Sequence, residues 1–232
     1  MIRGIETHLS RSKYVHLNNY NFIRDYSSQG VAIALKSSYK YSIVTFSSVR
    51  FPHFFLDICV SINGINKKLL IGSVYIPCNF VPDEFSDGLV EIANFASNFD
   101  GMIVGSDFNS RHKSWNDNFN NSNGNTFFNW LENHSHDFIR ICDINPSFPN
   151  GISFLDHYLI SSKLIDNINL NYNISSLSTF SDHFPLLLKI DIRGFTFSLN
   201  QPIFYTSFKN TNWEILLENV IDTLFPKANI YR

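Results

Sequence analysis

The chain has 232 residues, 44% of them hydrophobic and 16% charged, with a formal net charge of −2. That length allows one domain with a packed core, and the composition excludes global disorder. It also excludes a surface that binds nucleic acid through bulk positive charge, so any such contact has to be local.

The start, Met1-Ile2-Arg3-Gly4-Ile5-Glu6, has no apolar stretch of secretory length, and no signal peptide is expected. No run reaches the roughly 20 apolar residues of a membrane-spanning helix. Short stretches rich in Val, Ile, Phe and Tyr predict strands over 30–36, 41–50, 54–63, 67–76, 102–106, 138–143, 153–160 and 186–192. Asn63-Gly64 separates two of them, and both residues tolerate the positive φ of a tight hairpin turn. A helix is expected over 82–99, where Phe85, Leu89, Ile92, Phe95 and Ala96 recur near a 3.6-residue period and Pro82 suits the first turn. Shorter helices are expected over 126–133 and 213–224. Strands outnumber helices without simple alternation, which points to an α/β sandwich of two mixed or antiparallel sheets with helices outside. Cys59, Cys78 and Cys142 lack metal-site spacing and are expected as reduced core residues of an intracellular protein.

Four short segments could carry chemistry. Asp107-Phe108-Asn109 follows an apolar strand, where a carboxylate and an amide two residues apart point the same way; taken alone, an Asx-turn closing the strand is the more ordinary reading. Ser181-Asp182-His183 sets an imidazole beside a carboxylate before the last strand, and is otherwise a polar turn. Asp156 lies among Leu155, Tyr158, Leu159 and Ile160, so it needs a partner such as His183 unless its strand face is exposed. Glu6 is either a cation ligand or a solvated terminal charge. Scattered acids, one histidine and one amide, without a nucleophilic Ser or Cys arrangement, suit phosphodiester hydrolysis around a divalent cation.

The order of these motifs adds a resemblance. Glu6-Thr7-His8-Leu9, Val74-Tyr75-Ile76-Pro77, Gly105-Ser106-Asp107-Phe108-Asn109, Ser153-Phe154-Leu155-Asp156 and Ser181-Asp182-His183-Phe184-Pro185 resemble the endonuclease/exonuclease/phosphatase superfamily. Within it the chain is most similar to the endonuclease domain of insect-type non-LTR retrotransposons. The strand Gly30-Val31-Ala32-Ile33-Ala34-Leu35, the stretch His112, Trp115 and Asn116-Asp117, and the tail Phe208-Lys209-Asn210-Thr211-Asn212-Trp213 carry that likeness. Trp115 is equally a core anchor or a DNA contact.

The resemblance implies a four-layered α/β sandwich of two mixed or antiparallel sheets flanked by helices, like deoxyribonuclease I. Residues 1–193 would form the nuclease domain and 194–232 a connector toward a reverse transcriptase. It implies Mg²⁺ or Mn²⁺ held by Glu6 and Asp182, water oriented by Asp107, and Asn109 holding Asp107 or a phosphate oxygen. His183 would contact the scissile phosphate, held by Asp156, with Tyr75 against the phosphate. The implied substrate is double-stranded DNA, nicked to leave a 3′-hydroxyl, in the nucleus. A phosphoinositide or RNA phosphoesterase of the same fold, and an inactive relic, stand as alternatives. Two departures follow from the comparison. The family's first strand and helix have no counterpart before Glu6, so a sheet short of a central strand and weakened activity are expected. Cys78 stands where repair relatives often carry Asn.

Overall fold

The computed structural model describes residues 2–7, 18–24, 31–62, 65–142, 145–174, 183–184, 186–192 and 203–208. Twelve strands among them form two six-stranded sheets.

The first sheet contains β1 (Ile2–Thr7), β2 (Tyr20–Arg24), β3 (Val31–Lys36), β10 (Ile168–Ile174), β11 (Leu186–Ile192) and β12 (Ile203–Phe208), in the order β10-β11-β12-β1-β3-β2. The second contains β4 (Tyr41–Val44), β5 (His53–Ile62), β6 (Ile65–Tyr75), β7 (Gly101–Asp107), β8 (Phe138–Ile141) and β9 (Asp156–Ser161), in the order β4-β5-β6-β7-β9-β8. Each sheet is mixed: β1 and β12 run parallel in one, β6 and β7 in the other, and all other neighbours are antiparallel.

Side-chain alternation sorts the core into two layers. Leu69 and Ile71 of β6, Ile103 of β7, and Tyr158 and Ile160 of β9 meet Val31, Ile33 and Leu35 of β3 between the sheets. The opposite face of the second sheet, through Leu70, Val74, Met102, Val104 and Leu159, packs on α1 (Pro82–Ala96) and α2 (Ser122–Asn133). Burial on both faces explains why 69–74 reads as a continuous apolar run rather than an alternating one. Pro82 and the acids Asp83 and Glu84 open α1, and Phe85, Leu89, Ile92 and Ala96 form its buried stripe. Among the described residues no helix is long and apolar enough to cross a membrane.

Several expectations need correction. The strand expected over 41–50 ends at Val44, because the following residues leave the ladder and Phe46 turns in against Phe55 and Phe95. The second helix starts at Ser122 rather than 126, since Asn121 caps it by accepting from the Gly124 amide. The cysteines are free, but Cys59 and Cys78 are exposed rather than core residues, while Cys142 is half-buried against the core beside the helices. Cys59 points away from the core on β5, and Cys78 sits in the turn after β6. The helix expected over 213–224 and the Asn63-Gly64 turn lie outside the described residues.

The tail contributes a strand that the sequence reading did not expect. β12 lies between β1 and β11, with Arg3 opposite Phe204, Glu6 opposite Ser207, and Leu187 opposite Phe204 from the other side. Both neighbours therefore have hydrogen-bonding partners where a sheet short of a central strand was expected.

Candidate active site

The strands β6, β7 and β9 end together, and one lateral row crosses them. Tyr75 is the register partner of Asp107, and Asp107 is the register partner of Asp156. Residues aligned across a sheet project from the same face. That face is the one buried against the first sheet, so the row caps the end of the inter-sheet core. Asp107 is 3% exposed and Asp156 2%. Tyr75 is half-buried.

Asp107 closes its strand in a turn. Its Oδ1 accepts from the Asn109 backbone N–H at 2.9 Å, and its Oδ2 from Asn109 Nδ2 at 3.3 Å. The Asx-turn and the aligned carboxylate are thus one feature, not alternatives. Asn109 adopts a left-handed backbone, φ 45°, which asparagine tolerates better than most residues. Its Nδ2 also donates to Ile76 O at 2.9 Å, and its carbonyl accepts from Asn121 Nδ2 at 2.7 Å.

His183 reaches Asp156 from the segment before β11. Its Nδ1 donates to Asp156 Oδ2 at 2.7 Å, with both side chains buried. A carboxylate only accepts, so the contact fixes the proton on Nδ1 and turns Nε2 away from Asp156. Phe184 N–H donates to Ser147 O, and Ser147 Oγ accepts from the Leu155 and Asp156 amides, which ties the two segments together. The Phe148 ring packs on His183, with centroids 5.1 Å apart. Asp156 Oδ1 is buried without a partner among the described residues.

Asp107, Asn109, Asp156, His183 and Tyr75 therefore meet at one end of the second sheet. Glu6 stands on β1, opposite Val31 and Ser207, and β1 packs across β6 and β7. The Glu6 side chain and Asp182 lie outside the described residues. Among the described residues no three His, Cys, Asp or Glu side chains form a metal-holding group. The chemistry of the row still suits a hard cation: two neighbouring carboxylates, one with an unpartnered buried oxygen, offer the oxygen donors that Mg²⁺ takes.

Supporting residues escaped the sequence reading. Asn123, 1% exposed, accepts from Phe80 N–H and donates to Pro77 O and Phe108 O, clamping the turn after β6 to the segment after β7. Asp117 pairs with Arg111 at 2.8 Å and accepts from the Phe154 amide, joining the loop after β7 to the approach to β9. A capping Asn at 121 was the available signal for this cluster. Trp115 is 2% exposed and donates to Ser110 O, and His112 stacks on Phe128, so both are core groups.

Comparison with known proteins fixes the family. The family model described as endonuclease-reverse transcriptase matches residues 69–187, more than half of the chain. The chain belongs to that family. No curated protein matches it. Among solved structures it is similar to the endonuclease domain of TRAS1, a telomere-specific non-LTR retrotransposon, with TM-score 0.64 and 12% identity over 82% of this chain and 85% of that one. The Xenopus laevis APE2 catalytic domain gives 0.58, with 15% identity over 84% and 79%. A humanized D. rerio TDP2 gives 0.52, with 12% identity over 79% and 82%. At these identities the structures establish the shared α/β sandwich fold. The family establishes an endonuclease-type hydrolase.

Proposed function

We propose that the chain is the DNA endonuclease domain of a non-LTR retrotransposon, which nicks double-stranded DNA with Mg²⁺ or Mn²⁺ and leaves a 3′-hydroxyl. The observation that carries this reading is the convergence of Asp107, Asn109, Asp156 and His183 at the capped end of the inter-sheet core. Among the described residues no Ser, Thr or Cys paired with a base stands in that row, and in this reading water is the attacking group.

Glu6 and Asp182 would hold the cation, which neutralises charge on the phosphate. Asp107, steadied by Asn109, orients the water in line with the scissile bond. His183, protonated on both ring nitrogens, would donate from Nε2 to the phosphate while Asp156 accepts from Nδ1 and stabilises the imidazolium. Tyr75, in the same row, sits against the phosphate. The net charge of −2 fits affinity that is local and salt-sensitive rather than global. The parent polyprotein would supply a reverse transcriptase, and the substrate places the active protein in the nucleus.

The test uses supercoiled plasmid with the purified chain in Mg²⁺, in Mn²⁺ and in EDTA. Open-circle product is expected with metal only, and a polymerase should extend the nicked end without prior phosphatase treatment. Release of phosphate from a phosphoinositide panel with intact plasmid would overturn the reading. So would nicking that survives Asp107→Ala unchanged.

A further inference from the structure

We propose that the Cys78 thiol is a positioning group of this site: it donates to Asn109 Oδ1 and so fixes the amide that holds the Asp107 carboxylate. The inference rests on the endonuclease reading for its activity measurements only.

The orientation of Asn109 follows from its neighbours. One end of its amide faces two acceptors, Ile76 O at 2.9 Å and Asp107 Oδ2 at 3.3 Å. An amide oxygen there would meet two other oxygens, so that end is Nδ2. Oδ1 then occupies the opposite end and needs a donor. Cys78 Sγ lies 3.2 Å away and supplies one. Sulfur is a weak donor, but it completes the amide without crowding it. Clamping by Asn123 of the Pro77 carbonyl and the Phe80 amide fixes the turn that presents Cys78. The exposed position of Cys78 means that its removal leaves no hole in the core.

The consequence is a division of labour around one amide. Asn121 holds the Asn109 backbone, Ile76 and Asp107 receive its Nδ2 and set which way the amide faces, and Cys78 restrains the opposite end at Oδ1. Without that donor the amide is restrained at its Nδ2 end only, and the 3.3 Å contact to Asp107 Oδ2, one of the contacts that aim the carboxylate, loosens.

Two measurements test this. The first is plasmid nicking with saturating Mg²⁺ by wild type, Cys78→Ala, Cys78→Ser and Cys59→Ala. Cys78→Ala should lose roughly fivefold to tenfold in kcat with KM little changed, as expected for one lost positioning hydrogen bond. Serine keeps a donor and should recover most of the loss, and Cys59→Ala should match wild type. Thermal midpoints that stay together would separate positioning from stability. The second needs no activity: the rate of maleimide labelling of Cys78, followed by peptide mass. The contact with Asn109 Oδ1 engages the thiol and slows its reaction. Asn109→Ala should therefore speed labelling of Cys78 and leave that of Cys59 unchanged. Equal labelling rates overturn the proposal whether or not the chain cuts DNA. Full activity of Cys78→Ala in a cutting enzyme overturns it as well.

Discussion

Asp107 and Asp156 face each other as register partners on β7 and β9, and each has a different polar companion, Asn109 for one and His183 for the other. The pair divides the labour of the row. One carboxylate is aimed by an amide, and the other holds an imidazole.

That division makes Asp156→Asn informative. Asparagine keeps the volume at a buried position but removes the charge, and its amide end cannot accept from His183 Nδ1. The ring then loses the charge that holds a proton on both nitrogens. Plasmid nicking should fall by roughly 10²–10⁴-fold, the range of a lost acid–base partner. Circular dichroism should show an unchanged fold. Activity within twofold of wild type would mean that His183 does not act through Asp156.

His157 should give stability a pH dependence. Burial pushes its pKa well below the ordinary histidine value of 6.5, and the Arg140 guanidinium adds to the effect. It stays neutral, with Nδ1 accepting from Arg140 and Nε2 donating to Ser110 O. The unfolded chain binds a proton near 6.5 that the folded chain refuses, so stability is full above that pH and is lost as pH falls below it. His112, lowered by burial and then by Arg140, acts in the same direction. Urea unfolding between pH 7.5 and 5 should show the decline, at up to about 1.4 kcal/mol per pH unit for each proton. His157→Phe should flatten the slope even where it lowers stability throughout, and an unaltered slope would assign the effect elsewhere.

How much of this could be read from sequence depends on the range of the forces involved. The strand cores around 31–35, 54–62, 69–75 and 102–106 announce themselves by apolar runs, and β11 appears with its observed bounds. β1 and β2 are short and broken by Arg3, Gly4 and Asn21, so their strand character comes from pairing with β3 rather than from local preference. β12 is legible only in its register with β1 and β11. In the site, Asp107-Phe108-Asn109 stands out as a motif. The bridging roles of Asn123 and Asp117 do not, because each joins segments that only the fold brings together.

Gly124 in the first turn of α2 has no room for a side chain. A Cβ there would lie 1.8 Å from Arg111 O, a backbone atom that cannot swing aside. Gly101, whose added Cβ would meet the Leu164 side chain, offers a milder control. Gly124→Ala should cost about 1–3 kcal/mol or more, seen as a fall in Tm of about 4–10 °C. Because Asn121 caps α2 and also holds the Asn109 carbonyl, nicking should fall with it. A Tm equal to that of Gly101→Ala would contradict the clash.

The tail offers the largest single test of the fold. Residues 194–232 read from sequence as a connector, and a connector can be removed without consequence. β12, within that tail, pairs with β1 over Arg3–Thr7 on one side and with β11 over Leu186–Leu188 on the other. Removing it would open two sheet edges in the middle of the first sheet, leaving backbone N–H and C=O groups without partners and splitting β1 from β11. β1 carries Glu6, and β11 follows His183, so the two halves of the proposed cation and phosphate contacts would lose their common frame. A chain ending at residue 193 should therefore unfold at lower temperature and less cooperatively than the full chain. It should also lose amide protection across β1 and β11 in hydrogen exchange. A peptide covering 200–210, added in excess, should restore part of that protection by occupying the slot. If the shortened chain melts at the same midpoint and protects the same amides, the tail is a connector and β12 adds nothing to the sheet.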